Sequence, residues 1–298
     1  MNNLKMKILL SFYSITIFSF ALGMLFMPCY AITLRAIEDT TTFDLPEGFS
    51  RIKIISNTEL YKGQIVATFF KMDNIPSCNI KFVSRKKFER TFDFNNIEQQ
   101  CVQNGEQIVL QVAAAFTPDW KVIEGFALED GEKVGQDSYL GENRELYKGI
   151  LLIKDGKPLI TYIDNIIDRD VFIAESVHDS CSMFQQVAAI IESKINRNFD
   201  LPGVYKRRFF VEVIEENQSS FGIVNFNIEM RYSDAVKVLT EMESQGFKVH
   251  NALYVDMGAV SEGYFYDAQG QKHLMGDPDK DILNYTNVLI MYKDLRSE

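Results

Sequence analysis

Residues 251–270 read NALYVDMGAVSEGYFYDAQG, and in this stretch an apolar run ends at a single carboxylate, Asp256. The tyrosine and valine that close the run are typical of a buried strand. A side chain at the carboxyl end of such a strand faces the crevice in which α/β sheets commonly bind ligands. Aspartate also bonds the backbone of its own turn. The stretch therefore predicts a strand followed by either a working carboxylate or a turn former.

A helix is predicted directly before this strand. Ser233 is a candidate N-cap and Gly246 supplies a left-handed stop. Between them, apolar side chains share one helical face: Ala235, Val238, Leu239 and Met242. Residues 95–104 predict a second helix, which ends at Gly105 and leads into the apolar strand QIVLQVAAAF. Both segments are helix-then-strand units.

Residues 182–195, SMFQQVAAIIESKI, fit two structures. Phe184, Val187, Ala188 and Ile191 have helical spacing, but a buried strand is equally apolar. Periodicity alone leaves both open.

Short β-like runs make up most of the remaining sequence. Asp130-Gly131 and Asp155-Gly156 predict two-residue hairpins, because an Asp-Gly pair readily takes the positive φ angles of such turns. Many strands with a few interleaved helices predict an α+β fold. We expect a single β-rich domain over residues 32–298, with a mixed sheet and a few helices packed on it.

The N-terminal segment has the pattern of an export signal. Lys5 and Lys7 precede an apolar stretch over residues 8–27, and Cys29-Tyr30-Ala31 suits cleavage after Ala31. Residues 1–31 are therefore predicted to be a signal peptide. The apolar stretch is also near the length of a spanning helix, so an uncleaved membrane anchor is the alternative.

The charge of the chain argues against polyanionic partners. The net charge is −10, and removal of residues 1–31, with two lysines and no acid, makes it −12. Such a surface repels nucleic acid and anionic membranes. One basic cluster, Lys206-Arg207-Arg208, is a candidate for holding a single anionic group, or is a solvated strand end.

The cysteines and histidines do not predict a metal site. Cys78, Cys101 and Cys181 lack metal-ligand spacing, and the three histidines are scattered. In an oxidising compartment Cys78 and Cys101 could form a disulfide, but the favoured interpretation is that the cysteines are buried free thiols.

Several segments together resemble the phosphodiester glycosidase family, the exported bacterial relatives of the lysosomal uncovering enzyme. GFKVHNALYVDMGAVSEGYF resembles the family's closing motif, NALYLDG or NALNLDGG followed by serine. YKRRFFVEVIEENQSSFGIVNF, 205–226, is similar to its arginine-bearing strand and hairpin partner. FQQVAAIIESKI stands where the family has QSGPMLVIDGKI, which favours a strand there. VLQVAAAFTPDWKVIEGFALEDGEKV, 109–134, is similar to AMNGGMFDPDGRPVGLYVEDGKE, so the resemblance spans roughly residues 50–292.

The chain departs from this family pattern at small and polar positions. The family asparagine falls on Val112 or its neighbour, SGP becomes Gln186-Val187-Ala188, and bulky residues replace small ones: Phe209, Phe210 and Met257. These changes predict a lost polar ligand contact and a partly filled pocket. Catalytic erosion is therefore a second hypothesis.

The resemblance implies a hydrolase of sugar 1-phosphodiesters. Asp256 and Arg208 are its catalytic candidates: a carboxylate stabilises the positive sugar ring or activates water, and an arginine stabilises the leaving phosphate. Their plain alternatives are a turn former and a surface ion pair. The substrate-binding candidates are Gly258, Ser261, Glu262, Gln186 and Glu124.

The sequence hypothesis is an exported phosphodiester glycosidase-like hydrolase, periplasmic or secreted, that acts on a carbohydrate or sugar-phosphate ligand, with a cell-envelope glycan as one candidate substrate. Membrane attachment is expected only if residues 8–27 stay uncleaved. The alternative is a catalytically eroded relative that binds glycan or protein in the envelope. The sequence predicts no metal-ligating residues and leaves the cofactor unknown.

Overall fold

The computed structural model of the chain describes residues 34–39, 43–58, 60–88, 91–117, 122–136, 147–197, 200–255, 263–275 and 286–297. The chain divides into two units, residues 1–32 and 33–298, and all described residues lie in the second.

The described strands are, in chain order, β1 (Leu34–Glu38), β2 (Phe49–Ser56), β3 (Ile65–Met72), β4 (Cys78–Ser84), β5 (Glu106–Ala113), β6 (Ala127–Glu129), β7 (Glu132–Lys133), β8 (Gly149–Lys154), β9 (Lys157–Tyr162), β10 (Ser182–Ile191), β11 (Lys194–Ile195), β12 (Val204–Tyr205), β13 (Arg208–Glu215), β14 (Gln218–Phe226), β15 (Met230–Arg231), β16 (Lys248–Tyr254), β17 (Gly263–Tyr266), β18 (Lys272–Leu274) and β19 (Asn287–Asp294). The described helices are α1 (Phe94–Gln103), α2 (Arg169–His178) and α3 (Tyr232–Glu241), with short 3-10 turns at Ile163–Asn165, Met242–Gln245 and Leu295–Ser297. The fold is thus β-rich with few helices, as predicted.

The strands form several sheets rather than one. A twelve-stranded sheet has the central order β1-β2-β3-β14-β13-β16-β10-β6-β7, with β8, β9 and β11 joined to it through β10. A five-stranded sheet has the order β18-β17-β5-β19-β4, and β12 pairs with β15 alone. The expectation of a single sheet is therefore wrong.

The expectation of a mixed sheet is also wrong, because all pairings between these described strands are antiparallel. Helix-then-strand units usually make parallel neighbours. Here α3 carries the chain from β14 past β13, so that β16 runs in the direction of β14 but bonds to β13 and β10. The intervening strand makes both of those pairings antiparallel.

The main core lies between the two larger sheets. It joins Phe70, Phe210 and Leu253 of the twelve-stranded sheet to Val112 and Leu289 of the five-stranded sheet. Burial of this apolar surface drives the two sheets together.

Helix α1 packs on the other face of the five-stranded sheet. Its buried residues, Phe94, Ile97 and Cys101, join a second core cluster with Val288 and Ile290 of β19. Asp93 caps the helix by accepting from the Asn96 N–H at 2.8 Å. Gly105 follows with φ of +74°, as the predicted stop requires.

Helix α3 differs from prediction at its start. The N-cap is Arg231, which makes no side-chain capping bond, and Ser233 lies inside the helix. The reason is that β15 ends at Arg231 and runs directly into the helix, so the chain enters it from a strand pairing with β12. Gly246 ends the following 3-10 turn with φ of +91°, as predicted.

The ambiguous segment 182–195 is β-structure, in agreement with the resemblance: β10 ends at Ile191 and a turn at residues 192–193 leads back into β11. Both Asp-Gly pairs are hairpin turns with positive φ at each residue, and they join β6 to β7 and β8 to β9. Helix α2 was not predicted from the sequence. Within the part of the chain that the structure describes, no helix has the length and apolarity to span a membrane.

Candidate functional site

A row of polar side chains crosses the inner face of the twelve-stranded sheet. Asn225 of β14 pairs with Thr68 of β3 on one side and with Arg208 of β13 on the other. The row continues past the end of β16, where the Val255 N–H donates to the Arg208 carbonyl at 3.1 Å, to Gln186 of β10. Thr68, Asn225, Arg208 and Gln186 are all at least 93% buried.

The next row toward the sheet interior is wholly apolar. It runs through adjacent strands as Phe70, Ile223, Phe210, Leu253 and Ala188. Side chains two residues apart on a strand share a face, so both rows belong to the same core-facing surface. Buried polar groups on such a surface cost free energy unless they are bonded, and a run of them at strand ends marks a candidate site.

Arg208 is the charged member of this row. It is the first residue of β13, its side chain has no exposed surface, and its Nε donates to the Asn225 Oδ1 at 3.0 Å. A surface ion pair, the plain alternative from the sequence, is excluded by this burial. Its carbonyl bonds to Val255, the residue before Asp256 in the chain.

Gln186 connects the end of β16 to the segment after β5. With its amide oriented to satisfy both neighbours, Nε2 donates to the Tyr254 carbonyl at 2.8 Å and Oε1 accepts from the Phe116 N–H at 2.9 Å. Both polar atoms are thus used by the backbone. Gln186 therefore positions the strand end that precedes Asp256.

Glu124 lies near the same strand end. Its N–H donates to the Phe116 carbonyl at 2.7 Å, and its Oε2 accepts from the Tyr147 hydroxyl at 3.0 Å. The Phe116 ring lies 5.6 Å from the Tyr254 ring, measured between centroids. The structure thus brings Glu124 and Gln186 together around Phe116.

Four sequence candidates, Asp256, Gly258, Ser261 and Glu262, lie outside the described residues, as does Met257. Their predicted roles are proposals below. The described chain reaches them from one side at Val255 and resumes at Gly263 of β17.

The predicted basic cluster is divided between the two faces of the sheet. Arg207 is 2% exposed and its guanidinium carbon lies within 5.9 Å of three tyrosine rings: Tyr205, Tyr232 and Tyr254. Its Nη1 donates to the Tyr254 hydroxyl at 3.2 Å. Burial raises the pKa of Tyr232 beside it. The Arg207 side chain therefore lies on the face of the sheet that α3 covers, while the Arg208 side chain faces the core.

A cavity of about 250 Å³ opens beside the Thr68 and Asn225 end of the polar row. Its polar lining is Arg51, Thr68, Lys206, Asn225 and Asn227, and apolar lining comes from Phe70, Phe226, Phe265, Leu274 and Met275. Sequence reasoning missed Arg51, Thr68, Asn225 and Asn227. The available signal was a lone polar residue inside an apolar run, as in VATFF and GIVNF.

Phe209 and Phe210 do not line this cavity. Phe209 is on the α3 side, with its ring 5.9 Å from that of Tyr232, and Phe210 lies in the main core. Strand alternation places them on opposite faces. The pocket that they were expected to fill surrounds Asp256, which lies outside the described residues, so that expectation stays a prediction.

The end of β5 is apolar where the family has asparagine. Val112 is in the main core. An asparagine from another strand, Asn287 of β19, accepts from the Ala115 N–H at 2.6 Å and donates to the Ala115 carbonyl at 3.1 Å. Its amide is therefore bound to the backbone.

Within the described ranges, no group of three or more His, Cys, Asp or Glu side chains is arranged to hold a metal ion. The three cysteines among the described residues, Cys78, Cys101 and Cys181, are buried free thiols.

No family model matches the chain. No curated protein matches it either. Among solved structures, it is similar to the zebrafish N-acetylglucosamine-1-phosphodiester alpha-N-acetylglucosaminidase catalytic domain auto-inhibited by its pro-peptide, with 11% identity, a TM-score of 0.44, and coverage of 89% of this chain and 84% of that one. It is also similar to a hypothetical protein from Synechocystis, with 10% identity, a TM-score of 0.46, and coverage of 88% and 68%. Both are distant similarities of fold.

Proposed function

We propose that the chain is an exported phosphodiester glycosidase-like hydrolase that cleaves a sugar 1-phosphodiester, in a cell-envelope glycan. The observation that carries the proposal is the fully buried Arg208 in the polar row, bonded through its carbonyl to Val255. Asp256 follows Val255 in the chain, so the proposal pairs a guanidinium with a carboxylate at neighbouring strand ends.

The reaction breaks the bond between the anomeric carbon and a phosphate oxygen. Positive charge develops on the sugar ring and negative charge on the leaving phosphate. Arg208 would stabilise the phosphate with charge-assisted N–H donors, and its bond to Asn225 fixes the guanidinium in one orientation. Asp256 would stabilise the ring or activate the attacking water. Burial strengthens both effects, because fewer water dipoles screen the charges.

The other candidates take supporting roles in this proposal. Gly258 would allow close approach of the substrate, and Ser261 and Glu262 would contact it. Glu124 remains a second-carboxylate candidate, oriented by Tyr147. Gln186 would act through the backbone of Tyr254 and Phe116 rather than by touching the substrate.

The second candidate function is a catalytically eroded relative that binds a glycan or protein in the envelope. It is favoured by one observation. The polar amides of Gln186 and Asn287 are both bound to the backbone, and Val112 occupies the core, so fewer polar groups are left for a substrate.

The test is a panel of sugar 1-phosphodiesters assayed with the purified protein and with Asp256→Asn. We expect the protein to release the sugar from at least one member and the variant to lose most of that activity. Equal turnover by both would exclude the role of Asp256. No turnover by either would favour the binding protein.

Export is part of the proposal and has its own test. N-terminal sequencing of the protein from the envelope of its host should begin at Ile32. Full-length protein in the membrane fraction would instead support an uncleaved anchor in residues 8–27.

A further inference from the structure

The cavity beside the polar row lies between the two larger sheets and is just below the usual size of a small-ligand pocket. It lies between β3 and β14 of the twelve-stranded sheet and β17 and β18 of the five-stranded sheet, with a volume of about 250 Å³. A single water needs only ~10–15 Å³, and pockets for small ligands begin at about 300 Å³. The space therefore suits a group larger than water and no bulkier than a small sugar phosphate.

The cations around this cavity exceed the described carboxylates that pair with them. Arg51 Nη1 and Lys53 Nζ both lie near one carboxylate oxygen, Oδ2 of Asp39, at 3.1 and 2.9 Å. Among the described residues, Lys206 forms no ion pair. Two cations therefore share Asp39, and of the two that line the cavity, Arg51 and Lys206, only Arg51 has a described ion pair. The protein as a whole has a net charge of −10.

The guanidinium of Arg51 packs between aromatic rings and is not held by a bidentate hydrogen bond to a carboxylate. Its guanidinium carbon lies 5.3 Å from the Phe43 ring centroid and 4.8 Å from that of Phe265. Within the described part of the chain, its Nε has no hydrogen-bond partner, whereas Nη1 is engaged by Asp39 Oδ2 at 3.1 Å. Stacked rings cover the faces of a guanidinium and leave its N–H edge for an anion. Unused buried donors cost free energy that an acceptor would recover.

Neutral donors complete the lining. Thr68 Oγ1 accepts from Asn227 Nδ2 at 3.0 Å, which leaves the threonine hydroxyl hydrogen available. Asn225 Oδ1 accepts from Arg208, which leaves its amide hydrogens available to a ligand at the cavity wall. Both residues are more than 90% buried, so these donors point to a fixed site rather than a surface patch.

We propose that this cavity binds the anionic group, phosphate or carboxylate, of a small polar ligand. Lys206 and Arg51 supply the positive charge, Thr68 and Asn225 supply neutral donors, and the Phe70 and Phe265 side chains pack against the remainder of the ligand. The inference does not rest on hydrolysis, because an enzyme and a binding protein would use the cavity in the same way.

Calorimetric titration of the purified protein with four probes tests the proposal: inorganic phosphate, glucose 1-phosphate, glucuronate and neutral glucose. We expect at least one anion to bind at millimolar concentration or below and glucose to bind more weakly. Preference for glucose 1-phosphate over glucuronate would identify the group as phosphate, and the reverse preference would identify it as carboxylate.

Variants locate the binding. Lys206→Gln and Thr68→Val should each lower the affinity of the protein for the anion. The lysine variant should lower it by about ten- to hundredfold, because a charge-assisted hydrogen bond is lost. Lys237→Gln is the matched control, since Lys237 is an exposed helical lysine with the same charge. Melting temperatures check folding, and half-exposed Lys206 is the safer of the two sites.

The proposal is overturned if no anionic probe binds the unmodified protein. It is equally overturned if an anion binds but Lys206→Gln and Thr68→Val retain the affinity seen with Lys237→Gln.

Discussion

Glu129 is a buried carboxyl group whose ionisation makes the stability of the fold depend on pH. It ends β6 in the twelve-stranded sheet and is 7% exposed. Its Oε2 accepts from the N–H of Ser84, at 3.1 Å, and from the Ser84 hydroxyl at the end of β4. This contact therefore joins the two larger sheets. Burial raises the pKa of Glu129 to about 7 from 4.5, against the opposing effect of the Ser84 bonds.

A raised carboxyl pKa stabilises the fold at low pH. The folded state then binds more protons than the unfolded state between the two pKa values, so stability falls as pH rises from about 4.5 through about 7. Glu129→Gln should remove this dependence and stabilise the protein above pH 7 by up to roughly 3 kcal/mol. Urea unfolding at pH 5 and pH 8 measures it. Glu132→Gln is the control, because the Glu132 side chain is 72% exposed. It should leave the free energy of unfolding unchanged at both pH values. A pH dependence unchanged in Glu129→Gln would contradict the assignment.

The residues of the candidate site were only partly predictable. Arg208 and Gln186 were found because each lies in a segment with a family-like motif. Thr68 and Asn225 were missed because their partners are set by strand pairing across distant segments, which no local pattern reports. Lys206, Arg207 and Arg208 form one cluster in the sequence, whereas strand alternation separates Arg207 from Arg208.

Among the secondary-structure elements, the β8–β9 hairpin illustrates a turn that the sequence predicts well. Gly156 has φ of +74°, and a Cβ there would lie 2.5 Å from the Asn79 Oδ1 and 2.9 Å from the Asn79 Cβ. Gly156→Ala therefore combines backbone strain with a clash against a buried side chain.

Gly270 provides a matched control for this hairpin, because it has φ of +79° and no atom within 4 Å of the position that a Cβ would occupy. We expect Gly270→Ala to cost about 1 kcal/mol from strain alone, and Gly156→Ala to cost about 1–3 kcal/mol more. Free energies of unfolding from urea titration measure the difference. Equal losses of unfolding free energy in the two variants would show that the Asn79 side chain moves away from the new Cβ at no cost in stability.

Elements were predicted where local chemistry decides them and missed where tertiary context does. Helix α1 has both its cap and its stop in the sequence, Asp93 and Gly105. Strand β10 is buried on both faces at every position before Ile191, so its sequence lacks the apolar–polar alternation that identifies a half-exposed strand. Helix α2 has few buried residues, with only Ser176 buried, so it lacks an apolar stripe.

Across the molecule as a whole, the three described thiols lie in the interior. Cys78 belongs to the core between the two larger sheets. Cys101 belongs to helix α1 and packs against the other face of the five-stranded sheet. A sheet therefore separates the pair that the sequence left open for a disulfide. Burial raises the pKa of both thiols to about 11, which leaves little thiolate at neutral pH.

We accordingly expect iodoacetamide at pH 7.5 to label Cys78, Cys101 and Cys181 slowly in the folded protein and rapidly in urea. Peptide mass mapping follows each site separately. A Cys78–Cys101 crosslinked peptide in a non-reducing digest would contradict the structure.

The number and pairing of the sheets were the least predictable features. Strand and hairpin positions follow from local sequence, but the path of α3 past β13 decides that every neighbour of β16 is antiparallel. That path depends on tertiary packing, such as the contact between Phe209 of β13 and Tyr232 of α3, whose rings lie 5.9 Å apart.

The proposed hydrolysis requires that Arg208, and not its neighbour, contacts the phosphate of a sugar 1-phosphodiester. The adjacent Arg207 is a matched control, because both arginines are buried and lie on opposite faces of one strand end. The decisive measurement is kcat/KM of Arg208→Lys and Arg207→Lys on the best substrate of the panel, with melting temperatures alongside. We predict that Arg208→Lys lowers kcat/KM by about 10²-fold or more, while Arg207→Lys loses stability but keeps kcat/KM within a few-fold. Equal losses in kcat/KM from the two variants, or a larger loss from Arg207→Lys, would contradict the role of Arg208.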